Sequence, residues 1–350
     1  MRLVFRSLIP GLAGSLFFLS ACRNNNNNKQ VEQQHGKDAS HVAVDTISPK
    51  INSYSTRISS NPLDADAYWN RGKLEVLQKN LPPALTDFTQ AVKIDSTKDF
   101  YYASLADVNF LMGHTREAKA TFEKCISLNP YNINALLKLG EIYFYVKKYK
   151  DAMDLSDRVL KIDKHSAKAY FMKGLIFLEV HDTAKALSSM QTAVEQNSSY
   201  FDAYIQLGLI YSIRGNIHAL DYFNAALNID PHSVEPYYDK GMFYQQTQDY
   251  PNALETYKQL LQVDSTYKFA LYNIGFIYFN KPDYVSAAKY FSKAIKSDSN
   301  YTMAYFALGK CYEQMNELQK AKDNFGHALK QNPDSRDFKD AYNEVKAKLK

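Results

Sequence analysis

Catalytic punctuation is scarce in this chain. It has three cysteines in 350 residues and no C-x-x-C pair. It also lacks a G-x-x-x-x-G-K-[ST] loop, a G-x-S-x-G elbow and an H-E-x-x-H pair. These absences argue against a phosphate cradle, a strained serine nucleophile and a helical zinc site. The eight histidines are scattered, and no two are spaced as metal ligands are. His114, His165, His181, His218 and His232 all fall between apolar stripes and are expected in solvent. Charge of one sign is also scarce. The formal net charge is +5, and dropping residues 1–22, which hold Arg2 and Arg6 but no acid, leaves +3. So slight a balance argues for neither nucleic acid nor an acidic surface. No enzyme, cofactor, metal or small-molecule substrate is expected from this inventory.

What is present is apolar and periodic. Hydrophobic residues make up 45% of the chain and aromatics 14%. In residues 302–335, Tyr305, Leu308, Gly309 and Tyr312 share one helical face. Leu318, Ala321, Phe325 and Ala328 share a second, after a polar turn near Asn316. Asn332-Pro333 ends that second helix, because the residue before a proline is pushed out of the helical region. The unit is a helical hairpin with small residues at its crossing. It recurs at a spacing of 34 residues. The glycine slot holds Gly72, Ala106, Gly140, Gly174, Gly208, Gly241, Gly275 and Gly309. The alanine slot holds Ala84, Ala118, Ala152, Ala186, Ala219, Ala253, Ala287 and Ala321. One step is 33, and the deletion falls between Gly208 and Ala219, in a turn. Cys125 and Cys311 lie six units apart, too far for a disulfide, and read as small core residues.

The period and slots resemble the tetratricopeptide repeat family. Its early aromatic slot matches Tyr68, Tyr102, Tyr170, Tyr204, Tyr237 and Tyr305; its later one matches Tyr143, Phe177, Tyr211, Tyr244, Tyr278 and Tyr312. Glu75 and Asn109 depart from the later slot in the first two units. The phenylalanine slot matches Phe88, Phe122, Phe223, Tyr257, Phe291 and Phe325, with Ser156 and Met190 departing. The resemblance implies an all-α fold, an α-solenoid wound as a right-handed superhelix. Eight repeats are expected at 65–98, 99–132, 133–166, 167–200, 201–233, 234–267, 268–301 and 302–335. A half-repeat at 48–64 should cap the front, beginning at Ser48-Pro49. A helix over 336–350, with Phe338, Ala341, Tyr342, Val345 and Leu349 on one face, should cap the back.

Residues 1–22, MRLVFRSLIPGLAGSLFFLSAC, read as a secretory signal: a basic start, an apolar core and small residues at the end. The core is shorter than the ~20 residues that a membrane span needs. Leu19-Ser20-Ala21-Cys22 resembles the bacterial lipobox, which implies cleavage before Cys22 and a lipid on its sulfur. With Arg23 next, the family's sorting rule points to the outer membrane, facing the periplasm. Residues 23–47, opening with Asn24 to Asn28, read as a disordered linker.

In the resembled family the first helices line a concave groove. The inward positions here are Trp69, Phe100, Phe110, Leu137, Phe144, Phe171, Leu175, Tyr238, Met242, Phe269, Tyr272, Phe276, Phe279 and Phe306. Such a wall implies a protein or peptide partner held in an aromatic groove. The bland alternative is that the rings pack between successive first helices. The clamp that some members use for acidic chain ends needs Lys, Asn and Arg at positions that are mostly apolar here. The expected role is a lipid-anchored envelope scaffold, like the tetratricopeptide lipoproteins of pilus assembly, outer-membrane protein insertion or peptidoglycan-enzyme recruitment. Two competing readings are an envelope enzyme with a site between repeats and an RNA-binding helical repeat. The second predicts strong basicity, which is lacking.

Overall fold

A computed structural model describes residues 39–349. Every regular element among them is an α-helix, and none is long and apolar enough to cross a membrane. The chain divides into two compact units between Gln196 and Asn197. Among the described residues the first unit has nine helices. They are α1 (Ala39–Ser60), α2 (Ala65–Leu77), α3 (Leu81–Ile94), α4 (Asp99–Leu111), α5 (Thr115–Leu128), α6 (Ile133–Tyr145), α7 (Tyr149–Ile162), α8 (Ala167–Glu179) and α9 (Thr183–Gln196). The second unit has α10 (Phe201–Ile213), α11 (Ala219–Ile229), α12 (Val234–Gln246), α13 (Tyr250–Val263), α14 (Lys268–Asn280), α15 (Tyr284–Ser297), α16 (Thr302–Gln314), α17 (Leu318–Gln331) and α18 (Arg336–Lys348). Within each unit a first helix packs on its own second helix, and that helix packs on the next first helix.

The small slots sit where the helices close on one another. All eight slot alanines have no exposed surface. Opposite the glycine slot lies the ring slot: Phe88, Phe122, Phe223, Tyr257, Phe291 and Phe325 are all at most 2% exposed. Burying one such ring is worth roughly 2–3 kcal/mol. The third hairpin departs in a coupled way. Ser156 replaces the ring, its hydroxyl donates 2.9 Å to the Ala152 carbonyl, and the glycine opposite is left with space. Both described cysteines are buried free thiols, as core residues should be.

Turn chemistry explains the sharp repeat boundaries. Asn61, Asp95, Asn129, Asp163, Asn197, Asp230, Asp264 and Asp298 each accept a hydrogen bond from the backbone N–H two residues on, at 2.9–3.2 Å. These Asx turns close the second helices and reverse the chain. Inside the hairpins the turn needs a left-handed residue. Gly113 and Gly215 supply it without strain, while Lys79, Lys147, His181, Gln248 and Asn316 adopt φ of 60–63°.

Three boundaries differ from expectation. Helix α1 begins at Ala39 and passes through Pro49, nine residues ahead of the expected start at Ser48. A proline within a helix withdraws one amide donor, and this helix carries on through it. The one-residue deletion leaves Ala219, Phe223 and Ala226 fully buried but removes the opening of α11, which has 11 residues where α13 has 14. At the back, Phe338, Ala341 and Val345 of α18 are buried as expected, but Leu349 lies past the helix and is 41% exposed.

Candidate functional site: an aromatic wall on the first helices

In the first unit the wall is built on α2, α4, α6 and α8. Trp69 meets Phe100 edge-on at 4.8 Å and donates from Nε1 to Ser104 Oγ at 2.8 Å. The Lys73 ammonium lies 3.4 Å from the centroid of the Trp69 ring, a close cation–π contact. Tyr101 donates its hydroxyl to Asp66 at 2.6 Å. Asp107 lies between acid and base: burial pushes its pKa up to about 6, Lys138 opposes and Glu141 adds. Lys138 is itself paired with Glu141 at 2.8 Å and reaches over Phe110. Phe110, Leu137, Phe171 and Leu175 are half-buried, and Phe100 is 36% exposed. One expected wall residue is corrected. Phe144 is 6% exposed and packs with Tyr149, Met172 and Ile176, because the next hairpin closes over it. This stretch of wall is therefore a polar ladder with aromatic rungs.

In the second unit the wall is more aromatic. Phe269 on α14 is 40% exposed and Met242 on α12 is 36% exposed. Tyr238, Tyr272, Phe276, Phe279 and Phe306 are half-buried. Tyr238 and Tyr272 form a continuous strip with Phe269, Tyr267 and Tyr301. Tyr238, Tyr267 and Phe269 stand mutually 5.6–6.2 Å apart. Phe269 then meets Tyr301 at 5.8 Å, and Tyr301 meets Tyr272 at 5.3 Å. Each such pair adds about 0.5–1.5 kcal/mol beyond its buried area. Phe306 is turned towards the end cap, 4.8 Å from Phe338. Both the groove reading and the packing reading thus hold, ring by ring. One edge of the strip is packed, and the other meets water.

The strip includes residues that the first-helix spacing did not single out. Tyr267 and Tyr301 are the N-cap residues of α14 and α16. They occupy the last position of their repeats, where Tyr200 also stands, and that recurrence was readable. Asp239 on α12 is partly exposed, yet burial and then Glu235 raise its carboxyl pKa to about 8. Asn273 joins the layers behind it, donating to Tyr257 Oη at 3.0 Å and towards Met242 Sδ at 3.2 Å. Burial holds the Tyr238 and Tyr257 hydroxyls above their ordinary range. Among the described residues no three His, Cys, Asp or Glu side chains converge as a metal site would require. Cys22 lies outside the described residues.

Residues 101–132, 238–302 and 302–335 each match the tetratricopeptide repeat. The chain carries tetratricopeptide repeats. Among curated proteins, it is similar to anaphase-promoting complex subunit 3 of Schizosaccharomyces pombe, 27% identical over 174 residues, or 49% of this chain and 26% of that protein. It is also similar to the human mitochondrial import receptor subunit TOM70, 24% identical over 184 residues, or 50% of this chain and 30% of the relative. The chain thus spans less than a third of either relative's length. Among solved structures, the C-terminal part of a repeat-containing protein from Cytophaga hutchinsonii superposes with a TM-score of 0.57 at 18% identity, covering 67% of this chain and 97% of that one. Tetratricopeptide repeats are generally surfaces for binding other proteins, which is the coarse role that the wall fits.

Proposed function

We propose that the protein is a non-enzymatic scaffold whose first-helix wall, between α12 and α16, holds an extended or helical segment of a partner protein. The observation that carries this reading is the ring strip from Tyr238 to Tyr272, with Phe269 and Met242 open to water. Rigid rings lose little entropy on binding, and aromatic residues dominate interface hot spots. The relatives' names point the same way, since one is a complex subunit and the other a receptor subunit. The scaffold is held at a bacterial cell envelope by lipid on Cys22, at the outer membrane and facing the periplasm. That part rests on the lipobox resemblance of Leu19 to Cys22 and on Arg23. Two or more acyl chains would hold the protein firmly without a span.

The wall is tested by affinity capture from envelope extracts with wild type and with a Tyr238→Ser, Phe276→Ser double variant shown by circular dichroism to remain helical. Loss of the prey in the variant supports the reading, and unchanged prey removes the wall from it. The anchor is tested separately. Wild type should partition into detergent with its mature terminus at an acylated Cys22, and Cys22→Ser should stay in the aqueous phase. A wild-type terminus elsewhere would end the lipid proposal.

A further inference from the structure

Helix α1 stands where the second helix of a hairpin stands, with no first helix to cover it. It packs on α2 as the later second helices pack on the next first helix, and it closes with the same Asx turn, at Asn61. Among the described residues no first helix lies before it. Every other second helix buries at least three side chains, whereas no residue from Ile47 to Ser60 is buried. The uncovered face borders a cleft of about 520 Å3 between α1 and α2.

The residues on this face break the rule of the repeat. Lys50, Tyr54 and Arg57 lie 34 residues ahead of Ala84, Phe88 and Ala91, so lysine and arginine hold the two alanine slots around a retained ring. Small residues at a crossing let helices close to about 8–10 Å. Long cations exclude so close a crossing here, and with it one more permanent hairpin. They also leave charge on the cleft. Lys73 lines it from α2, lying over the Trp69 ring. Lys50 and Lys73 make no ion pair among the described residues, and Arg57 gives Nε and Nη2 to Asp64 at 3.2 and 2.8 Å but keeps Nη1. The apolar part of the lining is Tyr54 and Leu74, half-buried, and Leu77, 66% exposed.

Charge separates the occupants. Residues 23–38 of this chain hold three bases, two acids and one large apolar side chain, Val31. A second copy adding its last helix would bring lysines to lysines, because Lys339 and Lys346 of α18 stand 34 residues after Tyr305 and Tyr312, in the aromatic slots. Neither complements the cleft. A helix with acids beside an apolar stripe complements both its charge and its floor.

We propose that the cleft between α1 and α2 docks an acidic amphipathic helix of a partner protein, laid where the first helix of a preceding repeat would lie. Its apolar stripe covers Tyr54, Leu74 and Leu77, and its carboxylates meet Lys50, Lys73 and the free edge of Arg57. Ion pairs hold this helix farther out than a built-in one, so it docks reversibly. The cleft is a different surface from the ring strip between α12 and α16, and neither proposal depends on the other.

The test uses the full chain and a displayed library of random peptides of about 15 residues, enough for four turns of helix. Lys50 is exposed, so Lys50→Glu should keep the fold, which circular dichroism checks. Selected peptides are sorted by whether Lys50→Glu weakens them about tenfold or more. In that set the inference expects an acid whose change to lysine abolishes binding to wild type and restores binding to Lys50→Glu. Affinity for wild type should fall about fivefold between roughly 0.05 and 0.3 M salt. Tyr238→Ser with Phe276→Ser should leave these peptides bound, which keeps the result apart from that for the wall. The inference is overturned if no selected peptide is sensitive to Lys50→Glu, or if no charge reversal rescues the sensitive ones. It is overturned as well if phosphatidylglycerol vesicles bind through Lys50 while no peptide does, which would make the cleft a lipid site.

Discussion

Two glycine-to-alanine changes at equivalent positions should shift stability in opposite directions. In the eighth hairpin a methyl on Gly309 would stand 2.6 Å from both Cδ1 and Cε1 of Phe325. That ring has no exposed surface and is hemmed in by Phe306 at 5.5 Å. Relieving the clash means parting α16 from α17. Overpacking of this kind costs about 1–3 kcal/mol, against a helix-propensity gain of about 1 kcal/mol. Ala106 and Phe122 share these slots in the second hairpin and are both buried, so a hairpin can be assembled around the methyl, and the cost belongs at the lower end. A net loss of up to about 1 kcal/mol is expected for Gly309→Ala. In the third hairpin the same methyl on Gly140 would meet only Leu155 Cβ at 3.8 Å and the Ala152 carbonyl at 3.9 Å, because Ser156 stands where the ring would be. There the propensity gain is unopposed, and Gly140→Ala should stabilise by about 0.5–1 kcal/mol. Urea unfolding followed by helical circular dichroism, with hydrogen exchange on α6 and α16 to localise the effect, measures both. Shifts of the same sign would refute the coupling between glycine slot and ring slot.

Asp239→Asn should change how stability depends on pH. The folded carboxyl titrates near 8 and an unfolded one near 3.8, so the wild type loses stability as pH rises from about 4 through 8. At 1.36 kcal/mol per pH unit the loss reaches about 4 kcal/mol at pH 7. The tyrosines beside it, Tyr238, Tyr257 and Tyr267, have raised pKa values and stay neutral throughout. The two proteins should unfold alike near pH 4 and diverge towards pH 8 with asparagine the more stable; parallel denaturation midpoints would contradict the reading. Lys147→Gly should stabilise the fold by about 0.5–1 kcal/mol, because Lys147 holds φ at 60° in a turn where glycine carries no steric penalty. A melt showing Lys147→Gly destabilised would place that turn in another conformation.

Much of this architecture was legible because each repeat solves the same packing problem. An alanine with no exposed surface at Ala84 and again at Ala321 is the same crossing seen in each unit. The Asx turns from Asn61 to Asp298 were equally periodic, but they lie outside the apolar stripes and went unread. The wall was less legible because exposure there depends on neighbours. Phe144 and Phe279 occupy the same first-helix position, yet Phe144 is sealed from water and Phe279 is only half-buried. The raised carboxyl of Asp239 could not be read along the chain at all. It comes from burial first and then from the Glu235 charge, and burial is set by how α12 packs.

Among the described residues each compact unit carries one buried thiol, Cys125 in one and Cys311 in the other, and burial pushes both up to about 12. Neither sulfur can be alkylated until its own hairpins breathe apart, since reagents need both access and thiolate. The chain is thus supplied with two clocks, and the modification rate of each would time the opening of one half without any label being introduced.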